Sequence, residues 1–393
     1  MAPFWLSLWL ITLSVHIAAG KTLCSTSSKC PSETPCCSQF GECGADMYCL
    51  GGCDPRSSFS LDSCLPAPVC KSKTYTWENL DNVANNTVYL GNATAHDWLS
   101  SGYPAVEDGN LLMTMPNATV GTLMSNNHYL WYGRISARIK TTRGQGVVSA
   151  FILMSDVQDE IDFEWVGSDL ETVETNFYFQ GVLNYTNGGS FAVANNTFEN
   201  WHTYEIDWTP DAITWYVDGE AKRTLPKDAT WNATSNQYMY PQTPSRLQMS
   251  IWPAGTPDTP EGTVEWAGGL IDWNNEDMQK HGYYYVTVGE VNIECYEPPS
   301  SANITGYTAT IYTDYAGLDT SVQGTNKSTT LKSDTIVDDV SASERKPSPD
   351  HASSAEFAVS NAASNPVTAP QITCLSRALL PIVLVALAAF TFF

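Results

Sequence analysis

The run Asp159-Glu160-Ile161-Asp162-Phe163-Glu164-Trp165 alternates acidic and large apolar side chains at every step. On a β-strand, successive side chains point to opposite faces. Glu160, Asp162 and Glu164 therefore share one face, and Ile161, Phe163 and Trp165 share the other. Three carboxylates on one face repel one another, and a structural role would hardly select them. The interleaved apolar residues argue against a plain solvated edge. On pattern alone, a solvated acidic strand or a calcium site of clustered carboxylates remains an alternative to catalysis.

Shorter alternating runs recur around it, as in Arg134–Lys140, Trp201–Trp208 and Ala212–Val217, the last ending in the hairpin dipeptide Asp218-Gly219. No long helical period is evident between residues 71 and 298. Many short strands over this length imply an all-β sandwich. Trp208 and Trp215 read as core residues.

The carboxylate spacing suits one reaction. A retaining glycosidase needs two carboxyl groups about 5–5.5 Å apart across the scissile bond. The Cα atoms of residues 160 and 164 would lie about 13 Å apart on a strand, and two Glu side chains leaning together from a concave sheet can close most of that gap. The shorter Asp162 leaves room for a sugar between them. In this scheme Glu160 is the nucleophile, Glu164 the acid/base, and Asp162 sets the charge state of Glu160.

Most of the 11 cysteines lie between residues 21 and 70, a segment too small to be held together by burial alone. It reads as a disulfide-rich knot in front of the sandwich. Residues 1–20 carry an apolar run, Phe4 to Ala18, and the small-residue sequence Ala18-Ala19-Gly20, the pattern of a signal peptide. Residues 299–361 lose the aromatics and fill with Ser, Thr, Ala and Asp, the composition of a disordered stalk. Residues 362–393 end in an apolar stretch from Ala378 to Phe393, preceded by a polar spacer and the small residues Ser360 to Asn365. That is the pattern of a removed GPI signal, with Asn361 as the expected attachment residue. Sequons begin at Asn85, Asn92, Asn117, Asn184, Asn195, Asn232, Asn303 and Asn326, a density that fits a secreted surface. A formal charge of −23 disfavours nucleic acid and polyanionic substrates, whereas a neutral polysaccharide carries no such penalty.

Glu160-Ile-Asp-Phe-Glu164 resembles the signature of glycoside hydrolase family 16. Asn176–Gly181, Trp201–Tyr204, Ile213–Gly219, Ser250–Pro253 and Gly268–Trp273 follow in the family's order, and plant xyloglucan transglycosylases look similar through the same blocks. The resemblance covers roughly residues 75–295. It implies a concave jelly-roll β-sandwich, with Trp252 stacking on sugar and Thr263 and Gln248 touching substrate. Gln248 stands where a basic residue would be expected. Tyr178, Gln180, Asp272 and Trp273 are further substrate-binding candidates. No cofactor or metal is implied.

Cys36-Cys-Ser-Gln-Phe-Gly41, with Tyr48-Cys49 after it, resembles the hevein-type chitin-binding module. That resemblance implies bridges Cys24–Cys37, Cys30–Cys43 and Cys36–Cys49, and a sugar site of Ser38, Phe40 and Tyr48. Glu42 replaces the second Trp of many plant members. The pairing of Cys53, Cys64, Cys70 and Cys295 stays open; a short Cys64–Cys70 loop would leave Cys53 to Cys295.

Knot, family 16 domain, stalk and GPI signal in this order look like the fungal Crh cell-wall transglycosylases. The resemblance implies a monomeric retaining enzyme, anchored at the outer membrane face and cell wall, which moves chitin onto β-glucan. Hydrolysis shares every step up to the choice of acceptor, so a β-glucanase or chitinase is the alternative within this scaffold. A non-catalytic wall lectin is the alternative outside it.

Overall fold

A computed structural model describes residues 21–331. The expected signal segment 1–20, most of the expected stalk and Asn361 with the tail lie outside the described residues.

Two eight-stranded sheets face each other. The first runs, edge to edge, through Gly189–Ala192, Thr172–Tyr178, Glu160–Val166, Val147–Ser155, Ser245–Pro253, Thr122–Leu130, Trp98–Ser101 and Val83–Asn85. Its neighbours are antiparallel except the last two strands. The second runs through Glu220–Pro226, Ala212–Val217, His202–Trp208, Gly133–Lys140, Tyr283–Cys295, Asn110–Pro116 and Tyr103–Glu107, with Lys73–Tyr75 pairing alongside Tyr283–Cys295. The all-β sandwich is as expected. The α-helices among the described residues are two and short, Glu261–Trp266 and Glu276–His281.

One core fills the space between the sheets. Ile161, Phe163 and Trp165 enter it from the first sheet, and Tyr204, Ile206, Trp208, Ile213 and Trp215 from the second. The Trp165 and Tyr204 rings meet edge to face at 4.4 Å, an arrangement worth about 0.5–1.5 kcal/mol beyond area burial. Trp208 and Trp215 are fully buried, as their alternation implied.

The knot carries the bridges Cys24–Cys37, Cys30–Cys43 and Cys36–Cys49. The remaining four cysteines pair as Cys53–Cys64 and Cys70–Cys295. The short Cys64–Cys70 loop is therefore replaced. Its reason is sheet register: Lys73 pairs with Ile293 across adjacent strands, which brings Cys70 beside Cys295.

The ordered chain also continues past residue 298, which corrects the expected start of the stalk. Asn303–Ile304, Val322–Thr325, Ala309–Tyr312 and Ala67–Pro68 form a four-stranded sheet. Val322 joins the main core and Ala309 is fully buried. A segment poor in aromatics cannot build a core of its own, but here it completes one that already exists.

The Cys70–Cys295 bridge closes a loop with a sequence separation of 225. Replacing both cysteines by Ala should lower the unfolding free energy by roughly 2–5 kcal/mol, read from urea denaturation.

Candidate active site

The acidic face of the 160–166 strand lies opposite the core. Cross-strand partners show its surroundings: Glu160 sits between Met154 and Tyr178, Asp162 between Ile152 and Asn176, and Glu164 between Ala150 and Glu174. Across the sheet, Ile152 pairs with Gln248, Ala150 with Ser250 and Val148 with Trp252. The predicted residues Glu160, Asp162, Glu164, Tyr178, Gln248 and Trp252 thus share one concave surface.

That surface is largely removed from water. Glu160 is 5% exposed, Asp162 1% and Glu164 3%. Burial raises the Asp162 carboxyl to about 7, against hydrogen bonding from the Asn176 backbone and the attraction of Arg223. Glu164 is raised well above its ordinary value, first by burial and then by the charges of Asp162, Glu160 and Glu174. Asp162 Oδ1 and Glu164 Oε1 are buried without a hydrogen-bond partner among the described residues. Such groups are costly unless a ligand or proton transfer uses them.

The strand is held from both sides. Trp215, reaching across the core, donates from Nε1 to the Asp162 carbonyl at 3.0 Å. Asp159, just before the strand, accepts from Gln180 N, Gln242 N, Thr243 N and Thr243 Oγ1. Burial nevertheless pushes its carboxyl up to about 6.

Trp252 packs with Val148, Val166, Ala254 and Ala267 in a small cluster separate from the main core. Its ring stacks on Trp266 with centroids 6.2 Å apart. Trp266 Nε1 donates to Glu174 Oε2 at 2.9 Å, which ties this aromatic wall to the acidic face. Thr263 lies on the same short helix, buried, with Oγ1 unpartnered among the described residues.

Four candidates make protein contacts that the sequence did not indicate. Asp272 is exposed; its carboxylate caps Asn274 N and its carbonyl accepts from Tyr284 OH. Trp273 packs edge-on against Tyr284 and is half-buried at the margin of the main core. Gln180 accepts from Arg56 of the knot and donates to the Ala316 and Gly317 carbonyls. Gln248 is on the concave surface, but donates to Gln39 of the knot. These side chains follow from contacts remote in sequence, which local motifs do not encode.

The sequence reading missed Glu174, Trp266, Asp159 and Arg246. Glu174 was accessible in principle: Thr172–Tyr178 also alternates, and an adjacent strand in register sets Glu174 opposite Glu164.

Comparison with known proteins agrees with this geometry. The profile of Glycosyl hydrolases family 16 matches residues 92–268. Crh-like protein 2 of Aspergillus fumigatus is 60% identical over 332 residues, covering 83% of this chain and 75% of that protein. The chain belongs to glycosyl hydrolases family 16. Within this family it resembles the Crh-like proteins. Congo red hypersensitive protein 2 of Saccharomyces cerevisiae is 47% identical over 78% of this chain and 67% of that protein. A solved structure, Crh5 transglycosylase in complex with NAG, superposes with a TM-score of 0.55 at 31% identity, covering 70% of this chain and all of that one. The chain is accordingly a family 16 enzyme of glycosidic bonds, of the glycoside hydrolase and transglycosylase type.

Asp156, Asp159, Asp162 and Glu164 all have carboxyls raised by burial. The native state therefore holds protons that the unfolded chain, with Asp near 3.9, has released. Stability from these groups is complete below about pH 4 and is lost as pH rises through about 6 to 7. The thermal midpoint should fall over that window. Asp162→Asn should flatten the fall and raise the midpoint at pH 8.

Proposed function

We propose that the protein is a retaining cell-wall transglycosylase that cleaves chitin and transfers the fragment to β-glucan. The single observation carrying this reading is the desolvated acidic face, where Glu160, Asp162 and Glu164 stand in one row and burial with neighbouring charge raises the Glu164 carboxyl.

In the first step the Glu160 carboxylate attacks the anomeric carbon. The glycosidic C–O bond breaks, and the Glu164 proton goes to the leaving oxygen. Burial and the neighbouring charges disfavour the Glu164 anion, which suits it to carry that proton to the leaving oxygen. In the second step an acceptor hydroxyl attacks the same carbon, gives its proton to Glu164, and Glu160 departs as carboxylate. Asp162, between them, hydrogen-bonds Glu160 in one protonation state and relaxes repulsion in the other. Trp252 and Trp266 offer a stacked aromatic wall for a sugar face beside Glu164, and Thr263 an unused hydroxyl.

The donor and acceptor rest on similarity to Crh-like proteins and to a Crh5 transglycosylase seen with NAG. A chitin-binding role for the knot at Ser38, Phe40 and Tyr48 belongs to the same reading. Its bridging pattern supports it. Export to the wall is supported by five disulfides among the described residues and by the sequon asparagines, which are exposed apart from half-buried Asn232. Attachment through a GPI lipid at Asn361, and action as a monomer, complete the proposal.

The test is a mixture of chitin oligosaccharides and a labelled β-glucan acceptor, with hybrid product as the readout. Glu160→Gln should abolish the hybrid. Glu164→Gln should slow its formation about 10²–10⁴-fold. Shortened chitin oligomers without hybrid product would make the enzyme a hydrolase and defeat the transfer reading.

A further inference from the structure

The turn carrying Ser38 and Phe40 is seated on the catalytic sheet. Gln39, between them, accepts at Oε1 from Gln248 Nε2 and from Arg246 Nη2, both at 2.9 Å. Both donors are nearly fully buried. Register places them on the acidic face: Glu160 pairs with Met154 and Met154 with Arg246, while Asp162 pairs with Ile152 and Ile152 with Gln248. Each donor is thus two strands from the acidic row, about 10 Å along the sheet.

The contact is broad and fixed. Gly52 N donates to Asp156 Oδ1 at 2.8 Å and Tyr129 OH at 2.9 Å. Arg56 Nη2 donates to the Val157 carbonyl at 2.7 Å. Gly52, at φ +86°, lies so close that an added Cβ would come within 2.7 Å of Arg246 Nη2 and of Gln39 Oε1. The C-terminal extension closes over the other side: Lys29 sits 3.4 Å from the centroid of the Tyr315 ring, and Lys327 pairs with Asp62 at 3.8 Å.

We infer that the knot forms one wall of the substrate cleft, so that Ser38, Phe40 and Tyr48 continue its row of chitin subsites past Gln248. This rests on chitin being the donor. A chain crossing the concave face towards the 122–130 strand meets the knot before it meets the sheet's edge. There it finds suitable chemistry. The Gln39 oxygen is used twice, which fixes its carboxamide, and its Nε2 donates to no protein group among the described residues. It is a positioned donor for an N-acetyl carbonyl. Tyr48, 41% exposed, lies flat over Gly44 and offers a platform for a sugar face. A flexibly tethered module would only raise the local substrate concentration. A fixed one adds contacts that depend on donor length and sets which bond reaches Glu160.

The test uses the full chain, chitin oligosaccharides of graded length and a labelled glucan acceptor. Tyr48→Ala should raise KM about tenfold for long donors and much less for short ones. Gly52→Ala, whose added Cβ falls on Arg246 Nη2 and Gln39 Oε1 at the seam and leaves Ser38, Phe40 and Tyr48 unaltered, should erase the same preference for length. Unchanged length profiles, with binding to insoluble chitin lost in Tyr48→Ala, would make the knot an independent anchor and overturn the inference. A rise in kcat/KM for short and long donors alike in Gly52→Ala would make it a plug and overturn it equally. If the wild-type chain accepts no chitin donor of any length, the donor assignment beneath it falls instead.

Discussion

Four carboxylates crowd one desolvated patch of sheet, and the rest of the molecule is arranged to tolerate it. Glu160, Asp162 and Glu164 come from one strand, and Glu174 faces Glu164 from the next. Burial penalises the anions of Asp162, Glu164 and Glu174, and the charges of Asp162, Glu160 and Glu174 add to the penalty at Glu164. The opposite face of the same strand offsets this. Ile161, Phe163 and Trp165 are buried in the sandwich core, where a large apolar side chain contributes about 1.5–3 kcal/mol. The raised carboxyls and the core packing are therefore two sides of one alternating strand.

Precision at the site comes from outside that strand. Trp215 holds the Asp162 carbonyl from the far sheet, and Asp159 pins the strand's start to two other segments. Trp266 ties the Trp252 wall to Glu174. Such anchors give the carboxylate row a rigid frame.

The knot and the segment after residue 298 extend the same logic. Neither has enough apolar surface to stand alone, and both are fastened to the catalytic sandwich. Gln39, Gly52 and Arg56 reach the first sheet, Val322 enters the main core, and Gln180 bridges knot and extension. Gln180 and Gln248, two of the substrate-contact candidates, also hold the module against the sandwich.

The alternation at 159–165 by itself determined the strand, its two faces and the carboxylate row, because period two admits one pairing of faces. The order of motifs carried the resemblance to the family, and the resemblance of the doubled cysteines to hevein-type modules implied the three bridges that the knot carries. Tertiary structure alone decided the partners of Cys70 and Cys53, the order of residues 299–331, and the place of Trp273, Asp272, Gln180 and Gln248. Each of those depends on contacts between segments far apart in the chain. Local side-chain patterns record which face of an element is apolar, but not which distant element will cover it.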